Sequence, residues 1–366
     1  MRHSIFFLLL LIASSVTLAQ KGDTLRKYLN GALEYTKEND AAYAAMAIKN
    51  GDYWFMMGVY PDTSILLKAY FKDKKLTVKE GPFTLYFPKG IKAMEGNYNN
   101  NIQQCVWKFY YRNGQLKDSG MLKNNQMVNT WYSWHENGQL FSMANYPSDE
   151  SLPDKYTPVR LPGNPGVLAD EPITNAKDGA WKSYHPNGKL KDSGNYKQSV
   201  KDGFWISWHE NGELESKGFY NLDTQEGKWE YFHSNGQPST IETYKNSKVV
   251  DMECFDENGK STGSFCSLLK PPTPILDRFV DFNTYMLDHL FWPKELDGKD
   301  VSGLVKISYT ISKEGQLTEF KVLQSPHELL SKEVERFFRS IEKWAPAISH
   351  NRTIDLAVLL DIPFYR

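Results

Sequence analysis

Cysteine is scarce in this chain: three in 366 residues, Cys105, Cys254 and Cys266. They do not fall into the Cys/His spacing of a zinc site. An excess of one charge is missing too. The net charge is −1, which leaves no basic surplus to drive nucleic-acid binding by counterion release. Long apolar runs are confined to "SIFFLLLLIASSV" at residues 4–16, shorter than the ~20 residues that span a bilayer as a helix. Catalytic signatures are lacking as well. No Gly-x-Ser-x-Gly elbow occurs. Gly259-Lys260-Ser261 imitates the end of a phosphate loop, but Cys254 stands where the first glycine is required. Asp256-Glu257-Asn258-Gly259 hints at a calcium loop, but its twelfth place is Ser267 and its glycine is misplaced. His-Glu-Asn-Gly at His135 and His209 lacks the second histidine of a zinc-protease helix. A non-enzymatic protein with no cofactor and no metal is expected.

What the chain does have begins with an export signal. Arg2 and His3 precede the apolar stretch, and Thr17 and Ala19 stand at small-residue cleavage places before Gln20. Residues 1–19 are therefore expected to be removed, which takes away Arg2 and leaves a net charge of about −2. An uncleaved membrane anchor is the other reading. With no cysteine after the cut, a lipid anchor is not expected. Export permits disulfides. Cys254 and Cys266 are close enough to pair, with Cys105 left over; buried or idle thiols are the alternative.

Aromatics are abundant at 14%, with 10 Trp and 21 Tyr, which suits β structure. They recur in a frame. Trp107, Trp131, Trp181, Trp205 and Trp229 are each followed seven places later by a glycine: Gly114, Gly138, Gly188, Gly212 and Gly236. Each of these glycines closes an Asn-Gly pair. The copies step by 24 residues with one 50-residue exception. Earlier, Phe83 stands at the Trp place, with Gly90 and Tyr98 following. Tyr146, Tyr196, Tyr220 and Tyr244 share the fifteenth place, and Met252 opens a worn last copy. Worn ends around clean middles suit a stacked array.

Each unit reads as two strands around a tight turn, because Asn-Gly supplies the positive φ of a type I′ hairpin; His-Pro-Asn-Gly fits a type I turn with a glycine bulge equally well. Gly96, Gly120, Gly194 and Gly218, thirteen places after the Trp, imply close backbone approach or a bulge. Upstream, residues 20–80 read as a β region with a worn first repeat, "YWFMMGVY" and "ILLKAYF" forming a hairpin. The long step hides an insertion at 147–172 carrying six prolines, which cannot join a central strand. His135, His185, His209 and His233 share one place. Neighbouring copies lie ~10 Å apart along the sheet, too far to share an ion, so they are expected to serve beside the turn. The Trp places and the aromatics three residues on form ladders that pack across strands; a stacking platform for glycans is the functional alternative.

The pattern W-x-x-Y…N-G-x-L…G-x-Y resembles the variant MORN repeats of bacteria, over about residues 53–260. The resemblance implies a β-hairpin array used for binding or scaffolding, some carriers being described as antitoxins, with no enzymatic residues.

After Cys266 the texture changes. "KPPTP" at residues 270–274 reads as a stiff linker within 263–282. Val305, Ile307, Tyr309 and Ile311 alternate as a strand, "LTEFKVLQ" returns the chain, and Ser325-Pro326-His327-Glu328 opens a helix with capping-box spacing and proline at its first place. Leu330, Val334, Phe337, Ile341 and Trp344 mark its apolar face, Trp344-Ala345-Pro346 ends it, and "IDLAVLLDIPF" is a last strand. This β-β-α-β order, with Trp292-Pro293, Val301-Ser302-Gly303, Glu314-Gly315, Trp344-Ala345-Pro346-Ala347 and Ile362-Pro363-Phe364, resembles the C-terminal domain of TonB proteins. The resemblance implies a domain at 283–366 that takes up a partner's strand at its sheet edge, with contacts near Glu295, Leu296, Asp297, Val301 and Gly303. The expected whole is mainly β: an extended antiparallel hairpin array at 81–262 followed by a small α+β domain. The expected role is an exported scaffold of the cell envelope, periplasmic or at the outer membrane, that binds a protein, an outer-membrane protein met by strand addition being the candidate. The rivals are a TonB-type energy transducer for transmembrane transport, anchored in the inner membrane, and a glycan binder.

Overall fold

The computed structural model describes residues 24–148, 150, 176–264, 266, 269–276 and 281–365. The expected signal at 1–19 and nearly all of the 147–172 insertion lie outside the described residues. The chain divides into two compact units, Met1–Gln225 and Glu226–Arg366.

The first unit is antiparallel sheet. Its strands are β1 (Thr24–Leu29), β2 (Tyr43–Asn50), β3 (Tyr53–Val59), β4 (Ile65–Phe71), β5 (Lys79–Tyr86), β6 (Lys92–Asn99) and β7 (Ile102–Tyr110). They continue as β8 (Leu116–Lys123), β9 (Gln126–Trp134), β10 (Leu140–Asn145), β11 (Gly179–Tyr184), β12 (Leu190–Lys197), β13 (Val200–Trp208) and β14 (Leu214–Asn221). Each pairs with the next in the chain, as β3 with β4 (Trp54↔Phe71) and β7 with β8 (Cys105↔Leu122). The β10–β11 pairing, Ala144↔Trp181, holds across the insertion.

Two kinds of turn alternate, and one differs from the sequence reading. The Asn-Gly turns are not type I′. In Tyr111–Gln115, the Gly114 N–H donates to Tyr111 O at 2.9 Å and the Tyr111 N–H to Gln115 O at 2.8 Å. Positive φ falls on Gly114 (87°), Gly138 (86°), Gly188 (84°), Gly212 (92°) and Gly236 (84°), while the asparagines before them stay at negative φ. This is a three-residue loop, a type I turn closed by a left-handed glycine. The asparagine is kept for its side chain: Asn113 Oδ1 accepts the Gln115 N–H at 2.9 Å, and Asn113 Nδ2 donates to Glu136 O of the next turn at 2.9 Å. The two-residue turns with both φ positive lie between copies instead, at Asn100-Asn101, Asn124-Asn125, Gln198-Ser199 and Leu222-Asp223.

The Trp frame has a steric cause. β8 and β9 pair Ser119↔Tyr132 and then Met121↔Val128, so Gly120 alone faces Asn129, Thr130 and Trp131. The same three-for-one bulge sets Gly194 against Gly203, Phe204 and Trp205. It throws the indole across the glycine: a Cβ on Gly96, Gly120 or Gly194 would lie inside 3.0 Å of the ring of Trp107, Trp131 or Trp205. The residue two before the aromatic place takes positive φ, whether Gly81, Cys105, Asn129, Gly179 or Gly203. Fifteenth-place tyrosines meet the Trp rings edge to face, as Tyr98–Trp107 at 5.2 Å and Tyr196–Trp205 at 5.2 Å. Contacts of this kind add about 0.5–1.5 kcal/mol each beyond burial.

In the second unit, β15 (Thr224–Phe232), β16 (Pro238–Lys245), β17 (Lys248–Phe255) and β18 (Ser261–Gly263) end the array. Short strands β19 (Leu269–Lys270) and β20 (Thr273–Pro274) follow, then helix α1 (Phe282–His289). The α+β part comprises β21 (Gly303–Ile311), β22 (Leu317–Gln324), helix α2 (Glu328–Ser340), β23 (Trp344–Ala345), β24 (Ala347–Ser349), β25 (Arg352–Ile354) and β26 (Leu356–Phe364). A three-stranded sheet in the order β22-β21-β26 carries α2 on one face. Val305, Ile307 and Ile311 are buried against Leu330, Val334, Phe337 and Phe338.

Two details of α2 correct the sequence reading. Its N-cap is His327, not Ser325: the His327 Nδ1 accepts the Leu329 N–H at 3.1 Å. Pro326 precedes the cap and takes no helical place. The helix stops at Ser340, where Ile341 turns extended, and Trp344–Ala345 belongs to β23. Cys254 and Cys266 form a disulfide, and Cys105 is free and exposed.

Candidate protein-docking site

A sheet with one covered face and three strands has two edges, and here they differ in chemistry. β22 carries Glu319 and Lys321, ion-paired at 3.2 Å. Charges on an edge discourage strand addition. β26 reads LAVLLDIPF and has one ionisable side chain, Asp361, within 3.8 Å of Lys306. Its pairing with β21 runs unbroken from Leu356↔Ile311 to Phe364↔Gly303. Leu359 projects from it with 74% of its surface exposed. Pro363, near the end, has no N–H to offer and limits the usable edge to about the stretch before it. At ~3.3 Å per residue, the segment from Leu356 to Ile362 offers roughly 20 Å of extended backbone.

The other strands of this part are short, and β24 is paired on both sides while β23 and β25 are each paired on one. Leu269↔Ser349 joins β19 to β24, and Thr273↔Ala345 joins β20 to β23. The stretch expected as a linker thus covers β23 and β24 with its own strands.

The residues expected near the contact lead into β21. Glu295 is exposed in a single 3-10 turn, Lys294–Leu296. Leu296 is fully buried and packs in the core, so its side chain anchors this segment. Asp297 is exposed and its N–H donates to Lys294 O at 3.0 Å. Val301 is half-buried against the same core. Gly303 has φ 141° and pairs with Phe364, which sets the segment beside the C-terminal end of β26. The strand edge that they adjoin is that of β26, residues 356–362. The signal for it in the sequence was nine residues of strand with a single charge.

In the repeats, Trp107, Trp131, Trp205 and Trp229 are buried at 0–4% exposure, and Trp181 is half-buried. The ring N–H of Trp131 donates to Met121 O at 3.1 Å, and that of Trp205 to Asn195 O at 3.1 Å. Their faces and donors are spent on neighbouring strands. The exposed aromatics lie elsewhere, among them Tyr132, Phe141 and the cross-strand pair Phe204–Phe219. The histidines tie one copy to the next: His135 Nε2 bonds Tyr184 O at 3.0 Å, His185 Nε2 bonds Trp208 O at 2.8 Å, and His233 Nε2 bonds Phe255 O at 3.2 Å. Tyr111 fills the same role through its hydroxyl, which donates to Trp134 O at 2.8 Å. Among the described residues no His/Cys/Asp/Glu group could hold a metal ion, and no helix is long and apolar enough to cross a membrane.

The family described as MORN repeat variant matches residues 106–124, 127–146, 177–198, 201–222 and 225–246. The family described as Gram-negative bacterial TonB protein C-terminal matches residues 288–365. No curated protein matches the chain.

Proposed function

We propose that this chain, in which five MORN-variant repeats are followed by a TonB C-terminal domain, is an exported, non-enzymatic scaffold of the cell envelope that docks a protein partner. The observation that carries the reading is the open, nearly uncharged edge of β26 in a domain whose family meets envelope proteins. The partner's extended segment adds to β26 and gains main-chain hydrogen bonds, with side-chain selectivity from Leu359 and from Glu295, Asp297 and Val301 at the far end. The hairpin array supplies further binding surface. Export rests on the sequence of residues 1–19, and the partner's most natural chemistry is an outer-membrane protein with an extended terminal segment.

The test has two stages in cells that express the native chain. The mature N-terminus and the cell fraction are determined first. A chain beginning at Gln20 in the periplasmic or outer-membrane fraction is expected; a chain retaining Arg2 in the inner membrane would establish the anchored transducer instead. A photo-cross-linking residue is then placed at Leu359 and, separately, at Thr318 on β22. A discrete envelope-protein adduct from position 359 and none from 318 is the expected result. Equal labelling from both edges would sink the assignment to β26.

A further inference from the structure

The last repeat breaks the frame at one informative place. Thirteen residues after the aromatic, Gly96, Gly120 and Gly194 are crossed by the next copy's indole, and the Trp131 copy has the small Ala144 there, opposite Trp181. After Trp229 that place is Glu242. The next copy has Met252 at the Trp place, and Glu242 pairs with it directly across β16 and β17. With no indole overhead, a side chain fits. Yet a buried carboxylate is costly unless it is paired and hydrogen-bonded, and Glu242 is 0% exposed.

Its partners come from two directions. Thr240 Oγ1 donates to Glu242 Oε1 at 2.7 Å, and the Tyr244 hydroxyl to Oε2 at 2.6 Å. The third partner is His350, whose Nδ1 lies 2.8 Å from Oε1. His350 and Asn351 form the two-residue turn between β24 and β25, both at positive φ. The hairpin tip is seated on the end of the array by further bonds. The imidazole stacks on Tyr231 at 3.7 Å and 7°. Ser239 Oγ donates to His350 O at 3.0 Å, Asn351 Nδ2 to Phe255 O at 2.8 Å, and an Arg352 guanidinium N–H to Phe232 O at 3.1 Å. Phe255 O also bonds the ring of His233, so the tip joins the ladder by which copies bind one another. The hairpin takes the place a further repeat would take.

We propose that the last repeat is a built-in receptor for the β24–β25 hairpin, and that Glu242 and His350 are positioning residues for the acceptor strand β26. One residue, Asp355, separates β25 from β26, and its Oδ1 accepts the Lys313 N–H at 2.6 Å. Wherever the hairpin is held, the start of β26 is held with it. The last repeat is then a mount that orients the docking edge within the second unit. The second half of this inference rests on β26 as the docking strand; the first half does not.

Hydrogen exchange on the full chain tests the receptor. Glu242→Gly restores the residue of the clean copies, and His350→Gly removes the imidazole while favouring the turn's positive φ. Both are expected to raise exchange of amides 347–354 at least tenfold while β7–β9 and β21 keep their protection. His350→Asn, which keeps a donor and tolerates the same φ, is expected to restore much of it. Unchanged protection of 347–354 in His350→Gly would overturn the receptor, even if Glu242→Gly misfolds. Cross-linking from position 359 is then repeated in both variants. A clear drop supports the positioning role, and undiminished cross-linking with a loosened hairpin overturns it. If the unsubstituted chain gives no adduct while the hairpin loosens as expected, the docking strand is wrong and the receptor stands.

Discussion

Gly120→Ala separates the steric account of the repeat from a propensity account. Gly120 lies in a strand at ordinary negative φ, and propensity alone says that alanine there gains about 0.5–1 kcal/mol by lowering backbone entropy in the unfolded chain. The geometry says the opposite. The new Cβ would lie inside 3.0 Å of three atoms of the Trp131 ring, which is 4% exposed and has no free space to retreat into. Overpacking of this kind costs about 1–3 kcal/mol. If the indole swung out altogether it would expose on the order of 200 Å², about 5 kcal/mol at 25 cal/mol per Å². The strand therefore shifts instead, and a net loss of about 2 kcal/mol is expected. Gly203→Ala is the control: φ is 82° and nothing lies within 4 Å of the added Cβ, so only left-handed strain of about 1 kcal/mol applies. Urea unfolding followed by tryptophan fluorescence and far-ultraviolet dichroism reads both. A midpoint for Gly120→Ala equal to or above that of Gly203→Ala would refute the reasoning. So would failure of Trp131→Leu to relieve the clash in the double variant, since the two effects should couple.

Three further outcomes follow from the same geometry. Cys105 sits at φ 64° where neighbouring copies hold glycine or asparagine, so Cys105→Asn should raise the urea midpoint by the equivalent of about 0.5–1 kcal/mol. Cys254→Ser should cost about 3 kcal/mol by the chain-entropy estimate for so short a loop, seen as earlier unfolding of the second unit in non-reducing buffer, with Cys266→Ser giving the same loss. Burial pushes the Glu242 carboxyl up, but the hydrogen bonds from His350, Tyr244 and Thr240 outweigh it and hold the group below its ordinary 4.5. A carboxyl depressed by folding contributes stability that is fully present above 4.5 and is lost as pH falls through the folded value. Thermal unfolding from pH 7 down to about pH 3 should therefore fall more steeply for the native chain than for Glu242→Gln, and parallel curves would show that the carboxylate is not held in this way.

The array was legible because its period is a physical length. Two strands and two turns take a fixed number of residues, and the indole, the turn glycine and the fifteenth-place tyrosine each mark one point of that circuit. The bulge was less legible. Gly81, Asn129, Gly179, Gly203 and Gly227 all stand two before the aromatic and all take positive φ, a signal that was available but was broken by Cys105 in the first clean copy. The turn type was misread for a related reason. Asn-Gly invites type I′ because both residues accept positive φ, but the asparagine's side chain is needed for the bond to the next turn, and the type I geometry is the one that aims it there. In the C-terminal domain the strands and the helix face followed from alternation and 3.6-residue periodicity. The cap did not, since an imidazole nitrogen replaced the serine that the capping-box pattern favoured.

The proposed docking edge was legible only in outline, because a strand's partner is not written in the strand. Resemblance pointed to residues 295–303, and those lie at one end of β26, with Leu296 wholly committed to the core. What singles out β26 is its length and its charge: β23 and β25, which also have a free side, are two and three residues long. β21 is paired on both sides, β23 and β24 are covered by β20 and β19, and β22 is guarded by Glu319 and Lys321. The segment from Lys270 to Pro274 looked like a spacer because prolines stiffen it, yet the residues around them close two edges that would otherwise compete for an incoming strand. The hairpin tip is seated on the last repeat through His350, Asn351 and Arg352. On the proposed reading, a long edge with a single charge, beside an edge guarded by charge and next to short strands of two or three residues, favours one register for an incoming segment.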